Sequence, residues 1–175
     1  MRTMGARAAS RMDAATTEID QLLATLEGMP AFVASAASHI AADEMRKAPD
    51  EDSFSFVEQI WHLADLEREG YGVRIRRILA EHEPELADFD GTRIARERRY
   101  VELDPAEGVR AFERERAHNV DALRRATAAQ FSRGATQDGV GRITLADIPR
   151  MMVEHDRGHR LEIQDLVSAR SSDRG

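Results

Sequence analysis

Apolar side chains recur every three or four residues along four long stretches of this chain, and that regularity restricts its fold more than any other feature. Ile19, Leu22, Leu23 and Leu26 make one stripe, and Phe56, Ile60, Leu63, Leu66, Val73, Ile75 and Ile78 a second. Val109, Phe112, Val120 and Leu123 make a third, and Ile148, Met152 and Leu166 a fourth. Residues at this spacing share one face of a helix, which must be buried against a neighbour. Alternating β-branched and polar residues, the mark of a half-buried strand, are rare, and no segment repeats. The expected fold is therefore all-α, a four-helix bundle.

Local signals set the expected boundaries. Gly28-Met29-Pro30 should interrupt the first helix, which resumes over 31–45, because Gly ends helices and Pro opens them. Residues 47–52 read as a polar loop. Ser55 with Glu58 is a capping box for a helix running from Phe56 to about Ala80, before Pro84 stops it. Asp104-Pro105 opens the third helix, with Asp as cap and Pro in the first turn. Thr144 with Asp147 is a weaker start signal for the last helix. Residues 85–103 read as the longest irregular section, with Gly91 as a turn; a loop of that length in a compact domain is often a lid or a site wall. Gly134 to Arg142 reads as a glycine-bearing connection. One bundle domain is expected over 12–167, with a flexible lead-in over 1–11 and a frayed tail over 168–175.

Composition excludes several function classes. There is no cysteine among the 175 residues, so disulfides, thiolate metal sites and cysteine nucleophiles are ruled out. The net charge of −7 argues against nucleic acid as a partner, since a binder must neutralise phosphates with an uncompensated basic face. Arg74-Ile75-Arg76-Arg77 and Arg96-Glu97-Arg98-Arg99 are basic, but acids flank both, as on solvated helix faces. No apolar run approaches the roughly 20 residues of a membrane span, and the start lacks a signal-peptide core, so a cytoplasmic location is expected.

The histidines carry the chemical signal. His155 and His159 stand four residues apart on the last helix, one above the other, so both imidazoles can point at a shared atom. His62, on the core-facing stripe of the second helix, supplies a third nitrogen. Buried histidines without partners carry a desolvation cost that a shared cation removes. Asp156 follows His155 directly and projects about 100° away from it on the helix, as a supporting or surface residue rather than a ligand. Asp65 and Glu58, three after and four before His62, are placed to orient an imidazole or accept a proton, with ordinary surface ion pairs as the alternative. His82 sits near a helix C-terminus, His118 falls off its stripe, and His39 is left undecided.

The residues from Phe54 to Leu166 resemble the DinB/YfiT-like superfamily of metal-dependent enzymes. The likeness rests on Ser55 to Glu67, on Pro84-Glu85-Leu86 with Phe89-Asp90, on Gly141-Arg142-Ile143-Thr144-Leu145, and on His155-Asp156-Arg157-Gly158-His159. It implies a four-helix bundle, commonly a homodimer, in which a histidine triad matching His62, His155 and His159 binds a divalent metal such as zinc or nickel. Where that family often has Gln three residues after the last histidine, this chain has Glu162.

Three histidines leave an open coordination position, as in catalytic rather than structural sites, where a bound water can be activated toward a pKa of ~7. The leading expectation is thus a metal-dependent hydrolase acting on a small molecule. The resemblance adds a metal-dependent transferase using a low-molecular-weight thiol. A non-catalytic stress protein that binds metal or a small molecule is a further alternative, and a bundle holding no metal is the blandest.

Overall fold

The computed structural model describes the backbone of residues 3–172 and the side chains of residues 17–169. Helix α1 spans Thr3–His39. The rod that follows begins as α2 (Phe56–Asp65), widens through a π-helical stretch at Leu66–Tyr71, and continues as α3 (Gly72–Ala80). After β1 (Glu85–Leu86) come the short α4 (Gly91–Glu97) and a 3-10 turn at Tyr100–Glu102. Helix α5 (Pro105–Arg124), a short α6 (Ala128–Phe131), a hairpin of β2 (Gly134–Gln137) and β3 (Gly141–Thr144), and α7 (Asp147–Ser172) complete the chain. The α2–α3 rod packs on α5, and α1 lies against α5 and α7, which makes the expected four-helix bundle. Most side chains of the expected 1–11 lead-in and 168–175 tail lie outside the described residues.

The helix starts follow the sequence closely. Ser55 accepts from the Glu58 N–H while Glu58 accepts from the Ser55 N–H, the two halves of the capping box. Asp104 caps α5 by accepting from the Glu107 N–H at 3.0 Å. The Asp147 carboxylate takes both the N–H and the hydroxyl of Thr144 at the head of α7.

The structure corrects three expectations. First, α1 is not interrupted near Gly28-Pro30 but passes through Pro30 as helix and ends at His39. Pro30 has no N–H for the carbonyl four residues back, that of Leu26. Arg116 of α5 donates to this orphan carbonyl at 3.0 Å, so the missing bond is replaced from another helix.

Second, a small sheet sits beside the bundle. β1 pairs in parallel with β2 (Glu85 opposite Thr136), and β2 pairs antiparallel with β3 (Ala135 opposite Ile143). Gly139 and Gly141, at φ 73° and 96°, turn the hairpin with backbone angles that side chains resist. Third, residues 85–103 are structured rather than irregular, with Asp90 capping α4 by accepting from the Arg93 N–H.

The core falls into two apolar clusters. One gathers Leu23, Leu26, Leu66, Ile75, Leu123 and Met152 with their neighbours; the other gathers Met29, Val33, Ile60, Phe112, Ile163 and Leu166 with theirs. Between them lie Glu67, Arg116, Asn119, His155, Asp156 and His159. A polar layer thus crosses the middle of the bundle, where burial without partners is costly.

Candidate metal centre

His62, on α2, is 9% exposed, and His155 and His159, on α7, are half-buried. One ring nitrogen from each lies within 4.8 Å of the others. His155 Nε2 stands 3.3 Å from His62 Nε2 and 3.1 Å from His159 Nε2. Ligands 2.0–2.1 Å from a tetrahedral cation would be about 3.3 Å apart, so this spacing suits a shared divalent ion.

Burial keeps the three rings neutral, the form that can ligate. It lowers the pKa of His62 to about 3 and that of His155 to about 2, with His159 adding to both shifts. His159 is lowered mainly by burial too, while the Glu162 and Asp156 carboxylates pull it upward. One Nε2–H on His155 is within hydrogen-bond distance of both other Nε2 atoms, and a divalent cation in the place of that proton would meet three lone pairs.

The tautomer of His159 is set by Gln59. The Glu162 carboxylate can only accept, and it takes the Gln59 Nε2 amide at 2.7 Å. That fixes the amide with its carbonyl oxygen toward His159 Nδ1, which donates to it. Glu162 also stands 3.1 Å from the same nitrogen. With the proton held on Nδ1, the His159 Nε2 lone pair is free to face the centre. Gln59 was not among the residues expected at the site. The available signal was its polar side chain three residues before His62, among the buried Phe56, Ile60 and Leu63.

Glu58 and Asp65, expected as orienting or proton-accepting groups, are engaged elsewhere. Glu58 lines the cleft over the histidines, but its carboxylate accepts from Ser55 N–H at 2.8 Å and Ser55 Oγ at 2.6 Å. Asp65 accepts from Tyr100 Oη at 2.5 Å, from Arg68 at 2.6 Å and from Arg98, and so straps the 85–103 segment to α2. Asp156 is buried and paired with Arg116 by two parallel hydrogen bonds of 2.7 and 2.8 Å. His82 and His118 are exposed, and His39 bonds the Ser35 carbonyl at 2.7 Å, away from the triad.

A cleft of about 480 Å³ opens onto His62 and His159. Thr92, Ala95 and Arg96 of α4 form one wall of it, so the 85–103 segment lines this cleft. Gly91 lies directly against His62, where an added Cβ would fall 2.5 Å from Nδ1. That Nδ1 is buried and has no hydrogen-bond partner among the described residues.

Among the described residues, no helix is long and apolar enough to cross a membrane. The sequence model of the DinB superfamily matches residues 22–163. Among solved structures, the chain is similar to YfiT from Bacillus subtilis, described as "a probable metal-dependent hydrolase with an unusual four-helix bundle topology". The TM-score is 0.79 at 21% identity, over 87% of each chain. It is also similar to a mycothiol-dependent maleylpyruvate isomerase, with a TM-score of 0.68 at 12% identity. That match covers 83% of this chain and 60% of the isomerase. No curated protein sequence matches it significantly.

Proposed function

The chain belongs to the DinB superfamily, and on that premise we propose that it is a metal-dependent hydrolase of a small molecule, working through His62, His155 and His159. The observation that carries this reading is the convergence of three Nε2 atoms from two helices at ligand spacing, beneath an open cleft. A divalent cation held there, with zinc or nickel the proposed choices, would supply Lewis acidity and an activated water. The protein contributes the rest. α2 and α7 hold the rings in place, Gln59 sets the His159 tautomer, and burial keeps the imidazoles unprotonated at neutral pH. Of the cleft carboxylates, Glu58 is committed to the helix cap, and we assign Glu162, which stands 3.1 Å from His159 Nδ1 and has one oxygen serving Gln59, to accept a proton from the nucleophile. A homodimer in the cytoplasm is proposed with it.

A second reading is metal-dependent transfer of a low-molecular-weight thiol, favoured by the fold shared with the mycothiol-dependent isomerase. In that case a cation held by His62, His155 and His159 would bind and activate a thiol rather than water. A binding role without catalysis is the third.

Zinc and nickel titrations of tag-free protein, wild type and His62→Ala, test the reading. One equivalent bound by wild type, with at least a tenfold loss in the variant, is expected. Equal uptake by both would overturn the site. A screen of ester, amide and thiol-transfer substrates on the loaded protein then separates the readings, and silence across all three leaves binding without catalysis.

A further inference from the structure

A buried ion cluster, Arg116 with Glu67 and Asp156, joins the helices beside the triad. Arg116 is 2% exposed. Its Nη1 donates to the Leu26 carbonyl at 3.0 Å and to Asp156 Oδ2 at 2.7 Å, and its Nη2 reaches Asp156 Oδ1 and Glu67 Oε1, both at 2.8 Å. One guanidinium thus joins α1, the π-helical stretch and α7. Glu67 is held from the other side by Asn119, which donates to its carbonyl at 2.8 Å and its carboxylate at 2.7 Å. In the widened turn the Glu67 carbonyl also takes the Gly72 N–H, five residues on, so it accepts twice.

Resting on the metal reading above, we propose that Arg116 is the positioning residue of the metal centre, fixing the rotation of α7 through Asp156 so that His155 and His159 meet His62. The packing of α7 leaves this task open. Its buried apolar side chains are Ile148 and Met152 at one end and Ile163 and Leu166 at the other. Over residues 154–162, where both histidines sit, Asp156 alone is buried. Apolar packing thus grips the helix on either side of the histidines but supplies no buried contact within that stretch.

The two parallel bonds from Arg116 to Asp156 are the buried contact there, and planar bidentate pairing tolerates little rotation. An imidazole tip stands roughly 7 Å from its helix axis, so a 10° turn of α7 moves it by about 1.2 Å. Metal–ligand distances tolerate about ±0.2 Å. A buried ion pair is weak evidence for stability, since apolar replacements often fold as well. Its value here lies in direction.

Two variants test this. Arg116→Lys keeps the charge, but a single ammonium cannot span the four acceptors. The triple variant R116M/E67Q/D156N removes all three charges, so no uncompensated ion is left inside the bundle. Circular dichroism reports folding. Ring ¹⁵N spectra of His155 and His159 in metal-free protein report the triad's arrangement, and zinc competition with a chromophoric chelator reports affinity.

We expect folded variants with shifted, broadened ring signals and 10- to 100-fold weaker zinc binding. A folded variant with the wild-type ring spectrum and zinc affinity would overturn the proposal. So would failure of both variants to fold, which would assign Arg116 to the fold itself. If wild-type protein takes up no metal, the metal reading falls, and the metal-free ring spectra still decide whether Arg116 positions the histidines.

Discussion

A single methyl group added at Gly91 should unseat His62 without unfolding the chain. In Gly91→Ala the new Cβ would lie 2.5 Å from His62 Nδ1 and nearer still to Cε1, against an ordinary contact of 3.4–4 Å. Something must retreat by about 1 Å. α4 is the stiffer partner, because Arg98 and Tyr100 just beyond it are bonded to the buried Asp65. The imidazole therefore yields, and its displacement is several times the ±0.2 Å a metal–ligand bond tolerates. Loss of residues that merely orient a ligand costs 10- to 100-fold in affinity, so displacing the ligand itself should reach the upper end, about 2.7 kcal/mol.

Stability should move less. Gly91 has no positive φ, and the up to ~1 kcal/mol by which Ala is favoured over Gly in helices offsets part of the roughly 1–3 kcal/mol cost of forcing a methyl group into a packed site. The metal-free melting temperature should hold or fall by up to about 8 °C. Zinc competition and thermal melts on the same samples provide both numbers. Wild-type affinity in a folded Gly91→Ala protein would show that His62 is not a ligand, or that α4 is not fixed as described.

Three further outcomes are expected. Gln59→Leu should weaken zinc binding 10- to 100-fold by freeing the His159 ring, whereas Glu162→Gln, which can still accept from the Gln59 amide, should cost only a few-fold; the same competition assay compares them. Phe112→Ala should destabilise the metal-free chain by about 3–5 kcal/mol in urea unfolding, because this ring is fully buried in the second apolar cluster. Burial holds His62 and His155 deprotonated down to about pH 3 and 2, so below pH ~6.5 the unfolded chain binds protons that the folded chain refuses. Metal-free stability should then be complete above that pH and fall as acid is added, and a His62→Asn/His155→Asn double variant should flatten the decline in urea midpoints between pH 7.5 and 5.

The bundle and the triad were legible because both obey the period of a single helix. Leu63, Leu66 and Ile78 mark a buried face, and His62 falls on it; His155 and His159 share a face by spacing alone. Arg116 was legible in principle, standing four residues from both Phe112 and Val120 on a buried stripe. What local rules missed was decided at a distance. Pro30 reads as a break until Arg116, eighty-six residues further on, replaces the hydrogen bond it removes. β1 is two residues long and finds its partner at Thr136 and Gln137, so neither alternation nor a tight turn announces it. The widened turn at Leu66–Tyr71 leaves no trace in the apolar spacing of its own segment.

The wall of the cleft comes from a different part of the chain than its floor. The histidines stand on long rods locked into the core, while Thr92, Ala95 and Arg96 belong to a short excursion between two of those rods. Exchanging Thr92, Ala95 or Arg96 would reshape the mouth of the cleft, whereas Gly91, at the head of the same excursion, is tied to the centre by its contact with His62. An architecture divided this way lets the entrance drift while the histidines stay put.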